Sequence, residues 1–188
     1  MRPMLIGAPT IEPVSLTDMK AWLREDGGDE DQLIQALIVS ARMTLEAYTR
    51  RFFVTQSWRI TLNAWPLDAL MLSIPFAPFQ AVSAIRIFDA NDMAQTLAPI
   101  SYRAPPASDG ARVTFKSAPP APGRSVDGIE IDFSVGYGAS ASGTPEPLRR
   151  AMMVLVAHWR EKRGDDVNDV LPKSVIQLAA PFRRERLS

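Results

Sequence analysis

Gly136, Gly138 and Ala141 follow the strand-like run Phe133–Val135 and precede a helical one, with the G-x-G-x-x-A spacing of one form of the dinucleotide-binding fingerprint. In that motif the glycines let the backbone approach a pyrophosphate, whose charge then sits on a helix N-terminus. The chemistry also needs a βαβ unit, an acid about 20 residues on at the end of a second parallel strand, and a helix opening at the glycines. None of these is met: the next helix opens near Pro145–Pro147, more helix follows it, and Asp165 and Asp166 fall in a loop. There is no Gly-Lys-Ser or Gly-Lys-Thr either. A nucleotide-dependent enzyme built on Gly136–Ala141 is carried forward only as an alternative.

The acidic run Glu25–Asp31 invites a calcium loop, but its spacing fails the D-x-[DN]-x-[DN]-G pattern and it lacks the bidentate Glu at the twelfth position. It reads as a solvated turn followed by helix N-terminal acids. The chain has no cysteine and one histidine, His158, which excludes thiolate sites and a histidine metal cluster within one chain. His158 lies beside Trp159 without a G-x-S-x-G elbow or a marked nucleophile, and reads as structural. No catalytic, cofactor or metal site is expected. Arg149, Arg150, Arg160, Lys162 and Arg163 raise a second alternative, a DNA-binding module, since Arg149, Arg160 and Arg163 can share one helix face.

Lys plus Arg equals Asp plus Glu at 21 each over 188 residues, so no overall basic excess favours nucleic acid. The distribution is uneven. Glu12–Asp31 holds seven acids against two bases, and Arg149–Ser188 holds nine bases against five acids. Such ends can supply complementary surfaces between copies, or two solvated faces. The start, MRPMLIGAPTIEP, lacks the apolar core of a signal peptide, and no stretch reaches the roughly 18–20 apolar residues of a membrane span, so a soluble chain made in the cytoplasm is expected.

The elements that must position these residues follow from periodicity. Ser15-Leu16-Thr17-Asp18 resembles a capping box and opens a short helix through Met19, Trp22 and Leu23, which Gly27-Gly28 is expected to end. A long helix is predicted from Glu30 to about Arg51, with Leu33, Ile34, Leu37, Ile38, Ala41, Leu45, Tyr48 and Phe52 on one apolar face. About five short strands follow: around Trp58–Leu62, Ala69–Ile74, Val82–Phe88, Val113–Phe115 and Ile129–Phe133. Proline-rich loops separate them. Helix returns from Leu148 to about Arg163, with Pro147 in its first turn and Gly164 as its stop, and a last short helix follows Pro172. Trp22, Trp58, Trp65 and Trp159 read as core or interface aromatics. The fold class is α+β: a helical bundle of about four helices with an inserted antiparallel β subdomain. The expected division is 1–53 for the N-terminal helices, 54–144 for the β-rich insertion, and 145–188 for the C-terminal helices and tail. With no catalytic constellation, an interaction or assembly component fits better than an enzyme.

The motifs occur in a recognisable order. Glu12–Leu16, Leu23-Arg24, Asp29–Asp31, Leu33–Ile38 with Ala41-Arg42, Glu46–Phe52 and Thr55–Trp58 come first; Trp65-Pro66, Ile74-Pro75 with Pro78, Phe133–Gly138, Pro145 and Pro147, Leu171-Pro172 and Pro181–Arg183 complete the series. This order, over almost the whole chain, resembles the head-tail connector (adaptor) proteins of long-tailed phages and phage-like gene transfer agents. The resemblance implies a non-enzymatic structural protein of the particle's head-tail junction, needing no cofactor and touching no membrane. It implies a ring, usually of twelve copies, that docks on the portal protein, receives stopper or other tail-side connectors, and leaves a channel through which DNA passes without specific binding. It places the portal contact in the C-terminal segment, which here is Pro181, Phe182, Arg183, Arg184 and Arg186.

Overall fold

Ser15 opens the first helix, α1 (Leu16–Leu23), as a capping residue should: its hydroxyl oxygen accepts the Asp18 amide at 3.0 Å and its O–H donates to the Asp18 carboxylate at 2.7 Å. Arg24 ends the helix, in the left-handed conformation (φ 56°), with the Glu25 amide reaching back to the Lys20 carbonyl at 3.0 Å. The expected glycine stop is therefore three residues too late. An arginine accepts the turn because the backward hydrogen bonds close it, at a steric cost that glycine would avoid. The long helix α2 (Asp31–Thr49) ends at Arg50, also in the left-handed conformation at φ 56°.

The computed structural model describes residues 1–68, 70–162 and 171–184. The third helix, α3 (Glu146–Glu161), begins behind Pro145 with Pro147 in its first turn, and α4 (Lys173–Ala179) begins behind Pro172. The expected helix stop at Gly164 lies outside the described residues. These four helices form one compact unit, Ile11–Val54 together with the described residues from Tyr137 onward. Its core is built from Met19 of α1, Ile34, Ile38, Ala41 and Leu45 of α2, Leu148, Ala151, Met152, Leu155 and Val156 of α3, and Val175 and Ala179 of α4, all essentially inaccessible. Apolar positions three and four apart on each helix produce that core directly.

The second unit is Met1–Thr10 with Thr55–Gly136, and it is all antiparallel. Its strands are β1 (Arg2–Gly7), β2 (Gln56–Leu62), β3 (Met71–Ile74), β4 (Phe79–Phe88), β5 (Ala94–Thr96), β6 (Tyr102–Arg103), β7 (Ala111–Phe115) and β8 (Ile129–Val135). They form a five-stranded sheet in the order β1-β2-β8-β4-β5 and a three-stranded one in the order β3-β7-β6. Among the described residues the fold is thus α+β with four α-helices, as the sequence implies. Arg2–Gly7, to which periodicity assigns no element, is an edge strand paired to β2, with Arg2 opposite Thr61.

The central strand β8 shows the period of two most clearly. Ile129, Ile131, Phe133 and Val135 point into the core, where Phe133 meets the rings of Phe76 at 5.1 Å and Phe79 at 6.1 Å. Glu130 and Asp132 point the other way, toward Arg59 of β2 and Arg86 of β4. Arg59 holds Asp132 with two parallel bonds of 2.6 and 2.9 Å, and Arg86 adds a third at 2.7 Å. Burial pushes the Asp132 carboxyl up, but the bonds from Arg59 and Arg86 outweigh it and hold the group below its ordinary range. A carboxyl so depressed stabilises the fold above its unfolded pKa, and that contribution disappears as pH falls through the folded value. The urea midpoint of the wild type is expected to fall steeply below about pH 4. Asp132→Asn should be less stable at pH 7 and converge on the wild type as pH falls through the folded value of Asp132, as a pH series on both proteins would read.

Candidate functional site

The segment assigned to partner binding begins where α4 gives way to a 3-10 turn, Ala180–Phe182. Helix ends leave carbonyls without partners, and here the tail supplies them to α2: the Arg184 amide donates to the Thr49 carbonyl at 3.0 Å. In return Arg51 donates through Nε to the Phe182 carbonyl at 2.7 Å. Phe182 packs half-buried on the helical core, and the Arg183 guanidinium lies over the Tyr48 ring, 5.2 Å from its centroid. Pro181 and Arg183 are exposed. The structure brings Pro181, Phe182, Arg183 and Arg184 together at the C-terminal end of α2; Arg186 lies outside the described residues.

The glycine-rich loop is built differently from a phosphate cradle. β8 runs antiparallel between β2 and β4, so no βαβ unit precedes the helix. Gly136 sits at φ 119°, which only glycine adopts freely, and its amide and carbonyl are already bonded, to the Pro78 carbonyl and to the Gln80 side-chain amide, each at 2.8 Å. The chain then passes through a 3-10 turn at Ala141–Gly143 before α3 opens with Glu146, whose carboxylate opposes an anion there. The boundary between the two compact units falls between Gly136 and Tyr137.

The charged ends of the sequence meet each other within the helical unit. Arg160 of α3 binds Glu30 at 2.7 Å and also Glu25, Lys20 binds Asp31 at 2.6 Å, and Arg149 donates to the Pro13 carbonyl at 3.0 Å and to Glu146 at 2.9 Å. Glu25, Glu30 and Asp31 of the acidic run are thus paired with cations of their own chain rather than arranged around a metal. Arg149 and Arg160, two residues of the DNA-binding alternative, are engaged in these contacts, and Arg150 lies over the Trp22 ring at 5.9 Å. Lys162 is exposed, and Arg163 lies outside the described residues. Among the described residues no group of three or more histidines and acids could hold a metal ion. His158 is half-buried near the end of α3. No helix among them is long and apolar enough to cross a membrane.

Two surface features of the helical unit have no counterpart in the sequence reading. One is the outward face of α2, where Leu33, Ala36, Val39, Ser40, Met43 and Ala47 are not buried and no charge intervenes. The other is a groove of about 600 Å³ lined by Trp22 and Leu23 of α1 and by Ala157, Arg160 and Glu161 of α3. The available signal was charge: between Asp31 and Thr49 only Arg42 and Glu46 are ionised, and both are buried.

No protein-family model and no curated protein matches the sequence. Solved structures do match it, over all of this chain and 98% of theirs. A chain in the neck of an empty gene transfer agent (GTA) particle, computed with C6 symmetry, is 27% identical with a TM-score of 0.85. One in the virion of a native GTA particle is 26% identical with a TM-score of 0.83, and one in the neck of a native GTA particle, computed with C12 symmetry, is 25% identical at 0.81. The likeness to head-tail connectors read from the order of motifs therefore extends to the whole fold.

Proposed function

We propose that this chain is a structural subunit of the neck of a phage-like particle of the GTA kind, a head-tail connector rather than an enzyme. The observation that carries the reading is the end-to-end match to a neck chain, with a TM-score of 0.85 and nothing of substance left over on either side. A match that omitted either compact unit would have supported only a shared subdomain. Gly136 of the loop and Arg149, Arg150 and Arg160 of the basic helix are engaged in contacts of their own chain, and nothing else among the described residues favours those alternatives.

In this role the subunit forms a ring, of twelve copies given the C6 and C12 symmetries of the matched necks. The ring docks on the portal, receives stopper or other tail-side proteins, and leaves a channel for DNA. The portal contact is made by Pro181, Phe182, Arg183, Arg184 and Arg186, of which Phe182 and Arg184 are held through their backbone to the end of α2 while Pro181 and Arg183 remain exposed.

Particles from a strain lacking this chain are expected to show no density for it at the neck by electron microscopy and to carry no tails; tailed particles from that strain would refute the reading. Arg183→Glu, on an exposed side chain, should leave the helical circular dichroism unchanged and weaken co-purification with the portal about tenfold, near 1.4 kcal/mol. Unchanged portal binding would remove the C-terminal segment from the interface.

A further inference from the structure

We propose that in the ring the outward face of α2 in one copy packs into the Trp22 groove of the next, with Arg50 of the first facing Glu161 of the second. The inference rests on the assembly reading above and adds the surfaces that meet.

The face is abnormal for one left in water. At 100° per residue Leu33, Ala36, Val39, Ser40, Met43 and Ala47 fall on one side of α2, opposite Ile34, Ile38, Ala41 and Leu45 in the core. The solvent side of an amphipathic helix is ordinarily charged. This one carries no charge over about four turns, with Met43 59% and Val39 37% exposed.

The groove complements it. Trp22 is 43% exposed on α1, and Ala157 leaves room at the floor between it and α3. A thioether side chain such as that of Met43 adapts readily to an aromatic wall. Face and groove are on different sides of the helical unit, since α2 turns its buried side toward α1 and α3. That is what a heterologous contact requires: each copy offers one surface forward and another backward, and the contact repeats until the ring closes.

Charge supports the same pairing. Most ions of the helical unit are engaged internally, as described, but Arg50 at the end of the α2 face and Glu161 at the rim of the groove are both exposed and carry no ion pair among the described residues. Opposite single charges beside matching apolar surfaces set the register of a contact.

The protein has no cysteine, so introduced thiols are the only ones in the chain. In particles assembled with full-length Met43→Cys/Ala157→Cys protein, a short bis-maleimide is expected to give a ladder of multimers beyond the dimer, and neither single variant should do so. Dimers from Met43→Cys alone would show α2 packing on α2 and overturn the proposal, as would absence of multimers while immunoblotting shows the chain in the particle. Absence of the wild-type chain from particles would instead overturn the assembly reading, and this one with it. Arg50→Glu and Glu161→Arg should each lower incorporation about tenfold and together restore it to within about twofold. Single variants without effect, or a pair that fails to recover, would refute the Arg50–Glu161 contact.

Discussion

Glu46→Ala is expected to destabilise the helical unit by about 3–5 kcal/mol, the usual cost of breaking a buried ion pair by removing one partner. Glu46 and Arg42 are one turn apart on α2, with side chains each only 9% exposed. One oxygen of Glu46 accepts Arg42 Nη1 at 2.9 Å and the other accepts the Phe53 amide at 2.7 Å. Arg42 also donates through Nε to Glu12 at 2.8 Å. Burial works against the Arg42 charge, but the two carboxylates more than restore it and raise its pKa above the ordinary value. Alanine therefore leaves a buried cation with one partner fewer and a buried amide with no Glu46 acceptor. Glu46→Gln keeps an oxygen for Phe53 and should lose only about 1–3 kcal/mol. Urea unfolding followed by helical circular dichroism separates the two. Equal losses would mean that the Phe53 bond contributes nothing, and a loss below about 1 kcal/mol for alanine would mean that water screens the pair.

Phe133→Ala is expected to cost the β unit about 3–5 kcal/mol, through lost transfer energy and the cavity left behind. The side chain is completely buried in the central strand, edge-on to Phe76 and stacked near Phe79. Trp58 lies 5.4 Å from Phe76 and provides a fluorescent reporter beside the cavity. Phe133→Leu, which keeps most of the volume, should lose less than about 1.5 kcal/mol. A similar loss for both variants would locate the effect in the aromatic contacts rather than in volume.

Elements with a strong period were legible from residues alone. The alternation in Trp58–Leu62 and Ile129–Phe133 and the helical spacing in α2 and α3 all recur in the structure. β1 was not legible: RPMLIG is an apolar run without alternation, and it is a strand because β2 offers it an edge some fifty residues later. β5 and β6 are three and two residues long, too short for a period of two to register. Leu33 adjoins Ile34 and shares its apolar character, yet its position on the helix carries it outward. The charge asymmetry is plain as a count, but its resolution is not legible, because Arg160 meets Glu25 and Glu30 only once the helices have packed. Of the candidate site, the tail residues follow from the order of motifs, while their attachment to Thr49 and Arg51 depends on where α2 ends.

Both compact units are discontinuous in sequence, each enclosing part of the other's chain. A ribosome makes the chain in one direction at about 5–20 residues per second, so α2 emerges on the order of 5–20 s before the α3 residues that cover Ile34, Ile38 and Leu45. β1 likewise waits for Thr61 and its neighbours. Throughout that interval the nascent chain exposes the apolar residues of α2 with their partner not yet synthesised. A chaperone that shields such surfaces during translation would raise the yield of soluble subunit without touching the final structure.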